Sequence, residues 1–131
     1  MSRLAGRLGV RTVEQSAAAE ESASILVQRA AQDASDKGVA SLLAALSPRE
    51  AAAYARDPLR GARFLGQATH RQAFQELETQ FKGRFQYFTR GADFYDSYTQ
   101  AYVELTTPAS VAAHLARPGY QHVAMATYTL P

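Results

Sequence analysis

The spacing of apolar residues predicts a helical first half for this chain. Across residues 13–34, Ala, Val, Ile and Leu recur every three or four positions among Glu, Gln and Ser, which is typical of an amphipathic helix. A shorter apolar stripe at 39–46 follows an Asp-Lys-Gly turn and predicts a second helix. This helical half is either a cap packed on the rest of the chain or the tail of a longer helical region.

A third helix carries a clear start signal. Ser47 suits the N-cap position, Pro48 suits the first helical position, and Glu50 lies three residues after the serine, as in a capping box. We expect the helix to end near Asp57, because the residue before a proline disfavours helical backbone. Residues 1–63 therefore predict only helices and turns.

The second half of the chain changes to shorter, alternating patterns. Residues 64–81 predict a helix with His70, Phe74 and Leu77 on one face. The segments that follow predict three strands, a short helix and a final strand, at 84–89, 93–96, 101–107, 108–116 and 122–130. This half is therefore expected to form a small sheet.

The composition fits a globular domain with its own core. The chain has 131 residues, of which 47% are hydrophobic and 20% charged. No linker-like stretch divides it, so we expect one α/β (α+β) domain over residues 1–131, with a helical region at 1–63 packed on a core at 64–131. The lack of cysteine excludes disulfides, thiolate zinc sites and cysteine nucleophiles. No apolar run is long enough to cross a bilayer, and the basic start lacks the apolar segment of a secretory signal.

The basic residues are mostly of one kind. The net charge is only +2, but 12 of the 14 basic residues are arginine. Arginine makes bidentate contacts with phosphate more readily than lysine does. A high-GC coding background produces the same bias, so phosphate steering and an ordinary solvated surface both stay open.

Two acidic residues within the predicted strands indicate where chemistry is expected. Asp93 opens one strand, and Glu104 lies between Val103 and Leu105 in the next. Two buried carboxylates on neighbouring strands repel each other unless a cation lies between them, so the pattern favours a divalent-metal site. The helix residue His70 would add a nitrogen ligand and favour Mn²⁺ over Mg²⁺.

Each of these residues also has a simpler interpretation. His70 could be a core histidine bonded to backbone, Asp93 could be a turn acid after a glycine, and Glu104 could face solvent on a one-sided sheet. Asp96 is expected to serve turn chemistry. His114 either faces the site from the last helix or caps that helix.

The order of these motifs resembles the PD-(D/E)XK, or restriction-endonuclease-like, superfamily of nucleases. That core consists of a helix, three strands, a helix and a strand, with an Asp on one strand and a Glu on the next. The segment from Gly66 to His70 resembles the GxxxH helix motif of the RecB-like branch. The whole of 64–130 is similar to nuclease domains at the C-termini of bacterial polymorphic toxins of the Rhs, contact-dependent inhibition and type VI secretion types. The segments that carry this similarity are Gly66–His70, 91–94, 104–108 and 112–114.

The resemblance implies a metal-dependent endonuclease toxin that hydrolyses phosphodiester bonds, in DNA more than in RNA such as tRNA. Asp93 and Glu104 would hold Mg²⁺ or Mn²⁺ with His70 as a further ligand, and His114 would lie near the site. The implied partners are nucleic acid and a cognate immunity protein, without a membrane. The protein would be a secreted or delivered effector that acts in the cytoplasm of a target bacterial cell. The competing hypothesis is a non-catalytic helical interaction module with a degenerate nuclease core.

One position departs from the superfamily pattern. A lysine usually stands two residues after the glutamate, and this chain has Thr106 there, which cannot stabilise developing charge as an ammonium can. Because side chains alternate along a strand, Glu104 and Thr106 are still expected on one face of the site. Candidates to supply the missing function are Lys82, His114, Arg117 and Gln121.

Overall fold

Five α-helices and a four-stranded sheet make up the part of the chain that the computed structural model describes, residues 13–120 and 123–131. In chain order these elements are α1 (Val13–Asp36), α2 (Val39–Ala44), α3 (Pro48–Arg56), α4 (Gly61–Gln80), β1 (Phe85–Tyr87), β2 (Phe94–Asp96), β3 (Ala101–Thr106), α5 (Val111–Leu115) and β4 (Ala124–Thr127). Short 3₁₀ turns at Pro58–Arg60 and Pro108–Ser110 lead into α4 and α5.

The sheet has the strand order β1-β2-β3-β4. The first three strands form an antiparallel meander, and β4 pairs with β3 in parallel. A parallel pair needs a crossover connection, and α5 lies in it. The expected α+β fold, with its order of helix, three strands, helix and strand, is therefore confirmed.

One continuous core joins the helical half to the sheet. The buried face of α1 consists mostly of alanines around Val27, so this helix can lie close to the strands. Leu77 of α4 and the strand residues Phe94, Val103 and Leu105 belong to the same cluster. The helical half therefore packs on the sheet, as expected. No helix within residues 13–120 and 123–131 is both long and apolar enough to span a membrane.

The predicted capping box at the start of α3 is confirmed. The Ser47 hydroxyl accepts a hydrogen bond from the Glu50 N–H at 3.2 Å, and Glu50 Oε1 accepts one from the Ser47 N–H at 2.9 Å. Arg71 of α4 donates both to Glu50 Oε1 at 2.8 Å and to the Ala45 carbonyl at 2.9 Å. The Glu50 carboxylate thus caps the N-terminus of α3 and connects this helix to α4 by an ion pair.

Several element ends differ from the predicted positions. The helix predicted over 64–81 begins earlier, at Gly61, and ends at Gln80. The helix predicted over 108–116 is divided into the 3₁₀ turn Pro108–Ser110 and α5, and Ser110, the last residue of that turn, has φ −102° and ψ 0°. The strand predicted over 84–89 is reduced to the three residues of β1 that pair with β2.

Asp96 serves the turn between β2 and β3, as expected. Its buried carboxylate accepts two hydrogen bonds from the Arg84 guanidinium, each at 2.8 Å. It also accepts from the Tyr98 N–H at 3.0 Å and from the Thr99 hydroxyl at 2.8 Å. Four hydrogen bonds satisfy this buried charge, so Asp96 is structural.

The outer edge of β4 is covered by two glutamines of α1. Gln28 Oε1 accepts from the Thr127 N–H at 3.1 Å, and Gln32 Oε1 accepts from the Thr129 N–H at 3.0 Å. The two glutamines are one helical turn apart, so they meet backbone groups two residues apart on the strand.

We predict that Glu50→Gln lowers stability at neutral pH and has little effect below pH 2. The hydrogen bond from Arg71 outweighs burial and lowers the pKa of Glu50 from 4.5 to about 2. Because this folded-state pKa lies below the ordinary value, the contribution of the ionised carboxylate is complete above pH 4.5 and is lost as the pH falls toward 2. Urea unfolding should give a loss of about 1 kcal/mol at pH 7. An equal loss at both ends of this pH range would contradict the prediction, and Glu21→Gln on α1 is the control.

Candidate active site

The sheet register places the two predicted acids side by side. Phe94 of β2 pairs with Val103 of β3, so the next residues along the antiparallel ladder, Asp93 and Glu104, lie opposite each other. The Asp93 N–H donates to Glu104 Oε1 at 3.2 Å, and the Leu105 N–H donates to Asp93 Oδ2 at 2.8 Å. Both carboxylates are therefore fixed by backbone geometry.

Glu104 does not face solvent, which excludes its simpler interpretation. Only 1% of the residue is exposed. Its Oε2 atom lies 2.5 Å from His114 Nδ1 and 3.0 Å from Arg117 Nη1. His114 Nε2 lies 3.3 Å from the Thr106 hydroxyl, so Glu104 and Thr106 share a strand face as expected, with His114 against both.

His70 approaches the acidic pair from α4. Its Nδ1 atom lies 3.7 Å from Asp93 Oδ1. Burial lowers the pKa of His70 to about 4, although the charge of Glu104 and a hydrogen bond with the Leu105 backbone act in the opposite direction. The imidazole is therefore neutral at pH 7, which is the form that binds metals.

The carboxyl group of Asp93 has a strongly raised pKa. Burial and, to a smaller extent, the neighbouring Glu104 raise the pKa of its carboxyl group to about 8, against the hydrogen bond from the Leu105 N–H and the charge of Arg117. Two carboxyl groups this close cannot both ionise easily without a cation. The pair therefore holds a proton near neutral pH when no cation is bound.

A cleft of about 400 Å³ opens beside this cluster. His70, Thr106 and His114 line it, together with Arg63 and Tyr128 among others. The acidic pair does not line the cleft itself. It is reached through the two histidines, since His70 contacts Asp93 and His114 contacts Glu104.

The five predicted site residues, His70, Asp93, Glu104, Thr106 and His114, thus form one connected cluster. Arg117, one of the four candidates for the missing lysine function, joins them through its contact with Glu104 at 3.0 Å. Lys82 is exposed beyond the end of α4, whereas His70 lies in the middle of that helix, so Lys82 does not replace the missing lysine. Gln121 lies outside the described residues.

The chemistry of the acidic pair and His70 fits a divalent cation. Two adjacent carboxyl groups, of which Asp93 has a raised pKa, gain from a cation between them, and the neutral imidazole can donate an electron pair. Glu104 would bind through Oε1, which accepts one hydrogen bond, from the Asp93 N–H, whereas Oε2 contacts both His114 and Arg117. Within residues 13–120 and 123–131, however, no three His, Asp or Glu side chains are already gathered as a metal site.

Comparisons of the chain with protein-family models, with curated proteins and with solved structures found no match. Function is therefore inferred below from the side chains and the order of the elements.

We predict that Asp93→Asn stabilises the protein increasingly as the pH rises from 4 to 8. The pKa of Asp93 is raised from 3.8 to about 8, so the folded state favours the protonated form and loses stability as the pH rises through this range. Asparagine removes this penalty while its carbonyl can still accept from the Leu105 N–H. The gain between pH 4 and pH 8, measured by urea unfolding, should exceed about 1 kcal/mol. A gain that does not change with pH would contradict the prediction, and Asp36→Asn, at the exposed end of α1, serves as control.

Proposed function

We propose that the protein is a metal-dependent nuclease that hydrolyses phosphodiester bonds, with DNA as its preferred substrate. The observation that carries this proposal is the buried Asp93–Glu104 pair beside the neutral His70. Such a pair gains stability from a divalent cation, and phosphodiester hydrolysis is a reaction that this cation assists.

Asp93, Glu104 and His70 would hold Mg²⁺ or Mn²⁺. When bound, the ion lowers the pKa of a water molecule and stabilises negative charge on the phosphate. His114 lines the cleft and can accept or return a proton there, while Glu104 orients its ring through Nδ1. Arg117 supplies, next to Glu104, the fixed positive charge that Thr106 lacks.

The order of the elements supports the proposed relation to PD-(D/E)XK toxin nucleases. A helix with the Gly66–His70 motif precedes three antiparallel strands, and α5 then leads to a strand parallel to β3. Glu104 lies within β3, as the resemblance expects, whereas Asp93 lies directly before β2 instead of opening that strand. As part of the same proposal, the protein is a delivered effector that acts in the cytoplasm of a target bacterium and is inhibited by a cognate immunity protein.

We predict cleavage of plasmid DNA in Mg²⁺ or Mn²⁺ and none in EDTA, with total tRNA assayed in parallel. Asp93→Asn and Glu104→Gln should each lower the rate by about 100-fold or more, because each removes a charged ligand. Mn²⁺ binding, followed by calorimetry, should weaken in Asp93→Asn. The control is Glu21→Gln, which removes an exposed carboxylate of α1 and should cleave as the wild type does.

Folded protein that leaves both substrates intact and binds no Mn²⁺ would contradict the proposal. That result would favour the non-catalytic interaction module. Circular dichroism of each variant separates loss of chemistry from loss of fold.

A metal-independent ribonuclease is a second candidate, supported by the contacts of Glu104 Oε2 with His114 and Arg117. In this reaction His114 takes the proton of a ribose 2′-hydroxyl, and the resulting oxygen attacks the phosphorus. The bond to the 5′ oxygen breaks, and that oxygen takes a proton from water. Arg117 would stabilise the charge on the phosphate.

If the second candidate is correct, we expect RNA cleavage that persists in EDTA and yields 2′,3′-cyclic phosphate ends. His114→Ala should lower the rate by about 100-fold or more, because no general base remains. An RNA with a single 2′-deoxy substitution at the cleavage site should resist. Cleavage of the deoxy substrate, or complete inhibition by EDTA, would eliminate this candidate.

A further inference from the structure

A second cleft, of about 370 Å³, adjoins the cleft at the candidate active site. Arg63 and Gln67 line both clefts, so the two clefts lie side by side. Arg49 and Arg60 line only the second cleft. We call this second cleft, with its arginines Arg49, Arg60 and Arg63, the basic groove.

The basic groove leads away from the acidic pair along one face of α4. Arg63, Gln67 and His70 are spaced by four and three residues, so they lie in a row on the helix surface. At 1.5 Å per residue, Arg63 lies roughly 10 Å along the helix from His70, or about three nucleotide steps of one strand of B-form DNA. His70, at the inner end of this row, contacts Asp93.

The basic groove carries uncompensated positive charge. Its one acid, Glu50, is paired with Arg71 at 2.8 Å, and Arg60 is paired with Asp57 at 3.0 Å. Neither Arg49 nor Arg63 forms an ion pair within residues 13–120 and 123–131. Both are exposed, so their guanidinium groups are available to an anion.

We infer that the basic groove binds the sugar–phosphate backbone of the nucleic acid strand on one side of the scissile bond. This inference rests on the proposed function, because the direction of the bound strand follows from the row of residues on α4 that leads to the candidate active site. Arg49 and Arg63 contact phosphate oxygens, and the Gln67 amide donates to a phosphate or sugar oxygen between them. A cleft of about 370 Å³ suits a strand, whereas a protein partner needs about 800 Å² of surface on each side.

The test is binding of fluorescent 20-nucleotide DNA and RNA of the same sequence, at several salt concentrations. The full chain with Glu104→Gln is used, and wild-type protein in EDTA serves as a second non-cleaving form. The matched control is Arg29→Ala, which removes an exposed arginine of α1 that does not line the basic groove.

We expect the double variant Arg49→Ala with Arg63→Ala to weaken binding at least tenfold in low salt. The slope of log K against log salt should fall by roughly 0.7 for each arginine removed from contact with a single strand. Arg63→Lys should keep that slope, since it keeps the charge. Arg29→Ala should bind like its parent protein.

Unchanged affinity and salt slope in the double variant would overturn the inference. So would displacement of the nucleic acid by poly-glutamate at equal charge, because the basic groove would then select acidic polypeptide. If the wild type cleaves but the slope is unchanged, only this inference fails. If nothing is cleaved but binding depends on Arg49 and Arg63, the inference stands and the proposed reaction fails.

Discussion

The buried carboxylate of Glu104 is the constraint on which the second half of the structure depends. An ionised acid in the middle strand of a sheet is costly unless opposite charge and hydrogen bonds compensate it. His114 of α5 and Arg117 just after that helix meet this requirement. Because both follow β3 in the chain, the connection must fold back over Glu104 before β4 can pair with β3. The connection that carries α5 therefore lies against Glu104.

The same contacts give Glu104 and Asp93 different surroundings. His114 and Arg117 contact Glu104 at one oxygen, whereas Asp93 has a backbone N–H and the distant edge of His70. Burial together with the charge of Glu104 raises the pKa of Asp93 to about 8. Asp93 is therefore the group that a cation, or any other positive ligand, changes most. Both candidate functions above use this asymmetry, one through Asp93 and one through the Glu104–His114 contact.

Much of this arrangement is predictable from local pattern. The capping box at Ser47 depends on neighbours three residues apart, and the shared face of Glu104 and Thr106 depends on the alternation of a strand. Local pattern does not indicate which residues far apart in the sequence will contact each other. Arg117 follows a helix break, and nothing near it in sequence indicates a buried acid on β3. The alanine stripe of α1 likewise predicts a buried face without indicating that the sheet covers it.

The glutamines on α1 have a consequence for how copies of this protein can associate. An exposed strand edge is a template on which another chain can add a strand and begin an aggregate. At the end of β4, the N–H group of Thr127 and, just beyond the strand, that of Thr129 are already bonded to Gln28 and Gln32. A strand added to this part of the edge would have to displace side chains of α1, a helix that belongs to the core. The opposite edge of the sheet, β1, offers only three residues, which is a short template for stable addition.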